Sequence, residues 1–345
     1  MRCKTHQRPS WEAAERWGGF RAVDAGAMGS VPDVSVVIPA FGVAEWLVDG
    51  VASALGQSVS LEVIVVDDAS PDDGIARLQA AFPSEPRLRI VANRRAKGDC
   101  GARNTGLEEA SAPWVVFLDG DDQLLPGGLA ALLAGASEGV VGVFGGFRHV
   151  DEAGQDVTSS WLVDRADAFR RYPERPLDLG LRPRRTFNPP PGAILLNAEA
   201  VWTVGGWHEG LSGVGRSEDF EMVIRSATQG PIAVVDAAVL AYLKRPGSRS
   251  TIERNTRHRL ITRLGIVRQM PRSFRPEVGR AQGQAYLRLV LPRLRSVSTG
   301  GGPKSGLVGL LDLAIAGGFS LWGLLCWPLP AWRPSWPPLV RRRGA

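Results

Sequence analysis

Between residues 34 and 118 the chain alternates runs of apolar, mostly β-branched residues with segments in which apolar residues recur every three or four positions. This spacing predicts helices that connect four strands, namely Val34–Ile38, Leu61–Val66, Leu88–Val91 and Trp114–Leu118. Strands that are apolar throughout are typical of a parallel sheet that is covered on both faces. The pattern therefore predicts a doubly wound, mostly parallel α/β sheet.

Acidic side chains follow two of the predicted strands. Asp67 and Asp68 follow the second strand, and Asp119, Asp121 and Asp122 follow the fourth. Ligands of doubly wound sheets bind at the carboxyl ends of the strands, so both acidic groups are predicted to lie at the binding edge. Carboxylates held close together repel one another, and a divalent cation relieves that repulsion. Oxygen ligands favour Mg²⁺ or Mn²⁺, which are commonly shared with a substrate diphosphate.

Two glycine-rich phosphate motifs are missing from the sequence. No GxGxxG follows the first strand and no GxxxxGK[ST] occurs anywhere, which argues against a dinucleotide oxidoreductase and a P-loop NTPase. A bound diphosphate would then rely on the metal and on cationic side chains. The candidates on the loop and helix after the third strand are Arg94, Arg95, Lys97 and Arg103.

Six segments of the chain together resemble the signature segments of glycosyltransferase family 2, in that family's order and spacing. Four of them lie in the predicted α/β region, at Val36–Phe41, Asp67–Ser70, Ala102–Gly106 and Phe117–Asp122. The other two resemble the region around the family's catalytic carboxylate and the segment that closes its domain. They lie at Val204–Arg225 and Tyr242–Ser250, so the resemblance covers about residues 34–252.

This resemblance implies a GT-A fold and an inverting transfer of sugar from a nucleoside-diphosphate sugar to a hydroxyl acceptor in cell-surface glycan or glycolipid synthesis. It implies nucleotide-sugar-binding roles for Pro39, Phe41, Asp67, Asp68, Lys97, Asp119 and Asp121. It also implies that Asp219 is the general base, and that Asp121 and Asp122 are ligands of the Mg²⁺ or Mn²⁺ ion that bridges the diphosphate.

The sequence departs from the family's common pattern at two places. Gly42 stands where Asn is frequent, and Lys244-Arg245-Pro246 lacks the histidine that often precedes the Pro-Gly-Ser segment. Both departures concern contacts to the nucleotide and its diphosphate.

Two other functions remain as alternatives. A sugar nucleotidyltransferase has a related architecture, but the glycine-rich, arginine-containing loop of such enzymes is missing after the first strand. The second alternative is a nucleotide-sugar-binding protein that has lost catalysis. The presence of all of Asp68, Asp121, Asp122 and Asp219 argues against it.

Several candidate side chains have a structural interpretation beside the functional one. Glu218 and Glu221 are alternatives to Asp219 as the base, because acidic residues are also favoured in the first turn of a helix. Arg103 either binds the diphosphate or holds its helix against the loop. Trp207 either lines an acceptor pocket or is buried in the core.

Charge is divided unevenly along the chain. The net charge of +6 combines −9 over residues 1–244 with +15 over residues 245–345. Basic amphipathic patterns at 253–299 favour either an anionic membrane surface or packing on the catalytic domain. The hydrophobic, tryptophan-rich stretch at 300–345 contains Asp312, which argues against a full membrane span over 307–327. We expect a cytoplasmic protein associated with the inner face of the cell membrane.

Nucleic-acid binding is not expected, because the catalytic part is acidic and the arginines lack interleaved aromatic residues. The three cysteines, Cys3, Cys100 and Cys326, are too widely spaced to indicate a disulfide framework or a thiolate zinc site.

Residues 1–30 are predicted to form a flexible tail without a signal peptide, and translation could also start at Met28. The expected units are therefore 1–30, a GT-A domain at 31–252, a basic helical region at 253–299 and a hydrophobic tail at 300–345.

Overall fold

A computed structural model of the protein describes residues 31–158, 190–211 and 218–245. The strands are β1 (Val34–Ala40), β2 (Leu61–Asp67), β3 (Leu88–Ala92), β4 (Trp114–Phe117), β5 (Gln123–Leu124), β6 (Gly142–Val150), β7 (Ile194–Asn197) and β8 (Ile232–Leu243). The helices are α1 (Leu47–Leu55), α2 (Gly74–Ala81), α3 (Asp99–Glu109), α4 (Gly128–Ala134), α5 (Ala198–Thr203) and α6 (Glu218–Ser226). The strands form one mixed sheet in the order β3-β2-β1-β4-β7-β6-β8-β5.

The amino-terminal half of the sheet is parallel, as the sequence predicts. β1 lies between β2 and β4, and β3 pairs with the far side of β2. Along β1, Val36 and Ile38 join a buried cluster with Leu47 of α1, whereas Val37 joins a second cluster with Leu107 of α3. Both faces of the strand are therefore buried, which explains its continuous apolar sequence and confirms the doubly wound arrangement.

The other half of the sheet contains antiparallel pairs. β7 runs antiparallel to both β4 and β6, β8 runs parallel to β6, and the two-residue β5 runs antiparallel to β8. Because β5 follows directly after Asp122, its pairing with β8 brings the end of β8 beside the acidic residues that follow β4. The strand periodicity after residue 118 did not predict these pairings.

Several predicted regions lie outside the described residues. These are the 1–30 tail, the last residues of the predicted catalytic domain (246–252), the basic region at 253–299 and the hydrophobic tail at 300–345. Among the residues that the structure does describe, none of the helices has both the length and the apolar character needed to cross a bilayer.

The contact of α3 with β1 depends on the missing side chain of Gly106. A Cβ at this position would overlap the Cγ1 methyl group of Val37, which is fully buried. We expect Gly106→Ala to lower the free energy of unfolding by about 1–3 kcal/mol, the usual cost of overpacking a core. Urea denaturation measures this difference. The double variant Gly106→Ala/Val37→Ala should be more stable than the two single losses together imply, and strict additivity would contradict this contact.

Candidate functional site

The carboxyl ends of β1, β2 and β4 meet at one edge of the sheet. The residues at this edge form two groups. The loop group consists of Phe41, Asp67, Asp68 and Lys97, and the acidic group consists of Asp119, Asp121 and Asp122. Each group is held by contacts to residues that are distant in the sequence.

Asp68 of the loop group fixes the segment that follows β3. Its side chain is 6% exposed, and its carboxylate accepts hydrogen bonds from Asn93 Nδ2 at 2.6 Å and from the Gly98 backbone N–H at 2.8 Å. Thr105 of α3 donates to Asn93 Oδ1 at 2.8 Å. The carboxylate therefore holds the 93–98 loop against the start of α3, a role that the sequence pattern did not indicate.

Asp67 stabilises the turn that follows β2. Its Oδ1 accepts a hydrogen bond from the Ser70 backbone N–H at 2.8 Å, and Ser70 Oγ accepts one from the Gly42 backbone N–H at 2.9 Å. Ala69 has φ 57° and Gly42 has φ 66°, so both lie in the left-handed region that favours glycine. Gly42, which departs from the family pattern, thus occupies a position whose backbone suits a glycine.

Phe41 and Lys97 lie together at the surface of the edge. The Phe41 ring is 50% exposed, and Lys97 Nζ lies 4.9 Å from its centroid. An exposed aromatic face can stack on a planar heterocycle, and the ammonium group can approach an anion. The loop group therefore combines features that suit a nucleotide.

The three carboxylates of the acidic group lie in one turn after β4. Burial raises the pKa of Asp121, and Asp119 raises it further; burial also raises the pKa of Asp122, with Asp121 and Asp119 adding to the effect. Asp122 is 2% exposed, and its Oδ1 accepts a hydrogen bond from the Leu243 backbone N–H at 2.9 Å. Its Oδ2 is buried without a hydrogen-bond partner among the described residues.

These donors fit a hard divalent cation. Carboxylate oxygens are the ligands that Mg²⁺ prefers, and a cation would both relieve the repulsion and give Asp122 Oδ2 a partner. Within the three described ranges, no three His, Cys, Asp or Glu side chains converge as a complete metal-binding cage. An ion at Asp121 and Asp122 would take its remaining ligands from a diphosphate and from water, as Mg²⁺ usually does.

Arg103 of α3 joins the acidic group to Asp219. Its guanidinium is 3% exposed, and Nη2 donates to Asp119 Oδ1 at 2.6 Å while Nη1 lies 3.8 Å from Asp219 Oδ1. Burial opposes the charge, but Asp119, Asp99 and Asp219 together raise the pKa of Arg103 above its usual value, so it stays a cation. The guanidinium carbon also lies 4.4 Å from the ring centroid of Trp207.

Asp219 lies in the first turn of α6, and its side chain is 15% exposed. Burial raises its pKa and Glu218 raises it further, whereas Arg103 acts in the opposite direction. Its Oδ1 accepts no hydrogen bond within the described part of the chain. A carboxylate with a raised pKa and an uncommitted oxygen is suited to accept a proton. Glu221 is a poorer candidate because it is fully buried and accepts two hydrogen bonds from Arg225 at 2.6 Å.

Asn104 holds the segment before α6 against α3. It is fully buried; its Nδ2 donates to Trp207 O and to Glu209 Oε1 at 2.9 Å, and its Oδ1 accepts from the Trp207 N–H at 2.7 Å. Trp207 is 2% exposed and packs edge-to-face on Phe117, with 5.0 Å between ring centroids. Of the two interpretations, the structure therefore supports the core role for Trp207 over a position lining an acceptor pocket.

Two of the four predicted diphosphate-binding cations form ion pairs with glutamate side chains. Arg94 pairs with Glu109 at 2.6 Å. Arg95, whose side chain is 8% exposed, pairs with Glu108 at 2.8 Å and also with Glu209. Of the other two, Lys97 belongs to the loop group and Arg103 contacts Asp119 of the acidic group.

Comparison with known proteins agrees with the resemblance seen in the sequence. Residues 35–205 match the family model described as Glycosyl transferase family 2. The succinoglycan biosynthesis protein ExoO of Rhizobium meliloti is 43% identical over 108 residues, which is 31% of this chain and 30% of that protein. A GalNAc(5)-diNAcBac-PP-undecaprenol beta-1,3-glucosyltransferase of Campylobacter jejuni is 38% identical over 117 residues, 33% of this chain and 38% of that protein. The matched part thus spans about a third of the length of these relatives.

Solved structures share the fold. S. aureus TarS 1-349 aligns with 85% of this chain and 81% of its own, with a TM-score of 0.58 and 15% identity. The mannosyltransferase PcManGT from Pyrobaculum calidifontis, in complex with GDP-Man and Mn²⁺, aligns with 92% of this chain and 90% of its own, with a TM-score of 0.55 and 19% identity. The predicted GT-A fold is therefore confirmed.

Removing the Asn104 side chain is expected to destabilise the fold. Asn104→Ala leaves the Trp207 backbone groups and Glu209 buried without these hydrogen bonds, so the free energy of unfolding should fall by about 2–4 kcal/mol. Gln229→Ala is the matched control, because it removes an exposed amide and should change the stability by less than about 0.5 kcal/mol. Chemical denaturation compares the two variants, and equal losses would contradict this role.

Proposed function

Because the chain belongs to glycosyltransferase family 2, we propose that it moves a sugar from a nucleoside-diphosphate sugar to a hydroxyl acceptor by an inverting, metal-dependent mechanism. One observation carries this proposal. The buried cation Arg103 contacts Asp119 of the acidic group and lies 3.8 Å from Asp219, so a carboxylate suited to act as a base lies beside carboxylates suited to a metal-bound diphosphate.

The donor binds across both groups of side chains in this proposal. The nucleoside contacts Pro39, Phe41, Lys97 and the Asp67–Asp68 pair, and the exposed ring of Phe41 supports stacking on the base. The hydrogen bonds that Asp68 accepts from the 93–98 loop support a preformed site. Asp119 and Asp121 then contact the diphosphate sugar.

Asp121 and Asp122 hold the Mg²⁺ or Mn²⁺ ion in this proposal. The raised pKa of both carboxyl groups supports a cation at this point, as does the buried Oδ2 of Asp122, which has no hydrogen-bond partner within the described ranges. When bound, such an ion supplies Lewis-acid stabilisation of the departing diphosphate.

Asp219 is the general base in this proposal. The acceptor hydroxyl oxygen forms a bond to the anomeric carbon while the bond from that carbon to the diphosphate oxygen breaks, and the electrons of that bond leave with the diphosphate. The hydroxyl proton passes to Asp219. Attack on the face opposite the leaving group inverts the anomeric configuration.

The acceptor is proposed to be a glycan or a lipid-linked sugar of the cell envelope. The name of the Campylobacter jejuni relative specifies an undecaprenol-linked substrate, which supports a lipid-linked class. An enzyme that acts on such an acceptor works at a membrane, and the +15 charge of residues 245–345 would favour an anionic surface. We therefore propose that the protein acts at the cytoplasmic face of the cell membrane.

Asp219→Asn tests the catalytic role. A positioned base contributes about 10²–10⁴-fold in rate, so kcat should fall by that factor while the affinity for the donor stays nearly unchanged. Sugar transfer from a panel of nucleoside-diphosphate sugars, with and without Mn²⁺, identifies the donor and measures kcat. Glu218→Gln, which alters the neighbouring carboxylate, should lose far less activity. Native turnover in Asp219→Asn would contradict the assignment, and binding without transfer or hydrolysis in the native protein would favour the inactive nucleotide-sugar-binding alternative.

The pH dependence of kcat/KM should show the raised pKa of Asp219. The carboxylate is the active form, so activity falls as the pH falls through this pKa, and that limb should lie above the usual aspartate range of about 4. Glu218→Gln removes a negative neighbour and should move the limb to lower pH. A limb in the ordinary aspartate range, or one that moves to higher pH in this variant, would contradict the proposed environment of the base.

A further inference from the structure

Arg245, directly after Lys244 at the end of β8, lies against the acidic group. Its Nη2 and Nε are 2.9 Å and 3.2 Å from the same oxygen, Asp121 Oδ2. The side chains of Arg245 and Asp121 are 23% and 24% exposed, so the pair lies on the solvent-facing side of the acidic group and not in the interior. A permanent cation therefore already occupies one side of the carboxylate that our proposed function assigns to the metal.

Trp46 holds the guanidinium in this position. The guanidinium carbon of Arg245 lies 4.3 Å from the Trp46 ring centroid, within the range of a favourable cation–π contact. The Trp46 backbone N–H donates to Val43 O at 2.9 Å, and the next residue, Leu47, is 1% exposed. The backbone that carries the Trp46 ring is therefore held in place, so Arg245 is oriented toward Asp121 before any ligand binds.

The residue type at this position matters for a metal. Arg245 lies in the Lys244-Arg245-Pro246 segment, which lacks the histidine that the sequence resemblance leads us to expect before the Pro-Gly-Ser segment. A neutral imidazole can donate a nitrogen lone pair to a metal ion. A guanidinium has only N–H donors and a charge that is not lost in proteins, so it repels a metal ion and binds the same carboxylate oxygens.

We propose that Arg245 is a resident counter-cation of Asp121, which competes with the divalent ion and so sets the metal affinity of the donor site. This inference rests on the proposed function, because it requires Asp121 to be a metal ligand. Without metal, the guanidinium offsets the repulsion between Asp121 and its neighbours. A metal ion has to displace the guanidinium from Asp121 Oδ2. The free energy of metal binding is therefore less favourable by the free energy that stabilises the Arg245–Asp121 pair.

The same competition couples the metal to the nucleotide. A displaced guanidinium has lost its carboxylate partner, and a diphosphate that arrives with the metal is an anion that arginine binds well. Nucleoside diphosphate should therefore strengthen Mn²⁺ binding partly through Arg245, and by linkage Mn²⁺ should strengthen nucleotide binding by the same factor.

Mn²⁺ binding to the full chain, followed by the EPR signal of the free ion, tests the inference without any turnover. Arg245→Gln should bind Mn²⁺ about tenfold more tightly than the native protein in the absence of nucleotide, and Arg245→His at least as tightly. Addition of UDP or GDP should strengthen Mn²⁺ binding less in Arg245→Gln than in the native protein. Arg77→Gln is the matched control, because it removes an exposed arginine that pairs with Asp73 at 2.8 Å and should leave Mn²⁺ affinity unchanged.

Asp121→Asn separates failure of the inference from failure of the proposed function. If Asp121→Asn weakens Mn²⁺ binding but both Arg245 variants bind Mn²⁺ as the native protein does or more weakly, Arg245 is no competitor and the metal site stands. If Asp121→Asn leaves Mn²⁺ affinity unchanged, the metal site itself is wrong and the inference falls with it. Because the Arg245 side chain is partly exposed, both Arg245 variants should unfold at nearly the native temperature. A near-native unfolding temperature shows that the comparison concerns binding and not folding.

Discussion

The buried guanidinium of Arg103 is the interaction on which the rest of the site depends. A cation that is 3% exposed costs several kcal/mol to bury unless carboxylates compensate it, and Asp119 at 2.6 Å and Asp219 at 3.8 Å supply that compensation. The two carboxylates belong to segments a hundred residues apart. Because Arg103 contacts both, the position of α3 on the sheet determines how far the metal-binding side of the site lies from the base.

The packing of α3 is correspondingly tight. Gly106 allows the helix to approach Val37 of β1, and Asn104 binds both backbone polar groups of Trp207. The guanidinium of Arg103 in turn lies over the Trp207 ring, 4.4 Å from its centroid. A helix that carried larger side chains would move Arg103 away from both carboxylates, so the core packing and the chemistry of the site share the same residues.

Local sequence patterns predicted the part of the fold that depends on neighbouring residues. The parallel strands β1, β2 and β4 are mostly apolar because both of their faces are buried, and that burial leaves a readable pattern, whereas the edge strand β3 is only partly buried. The predicted acidic residues do follow these strands. The antiparallel half was not predicted, since β5 has only two residues and residues 233–238 of β8 are partly buried or exposed. The pairs of Asp68 with Asn93 and of Arg95 with Glu209 were missed as well, because contacts between residues so far apart leave no local pattern.

A crystal structure of the full chain with Mn²⁺ and a nucleoside-diphosphate sugar that it binds tests the central claim most directly. We predict that the diphosphate lies against Asp121 and Asp122, and that the anomeric carbon faces the Asp219 carboxylate on the side away from the diphosphate. A nucleotide bound away from the carboxyl ends of β1, β2 and β4 would contradict this account. So would a sugar whose diphosphate lies on the same side as Asp219.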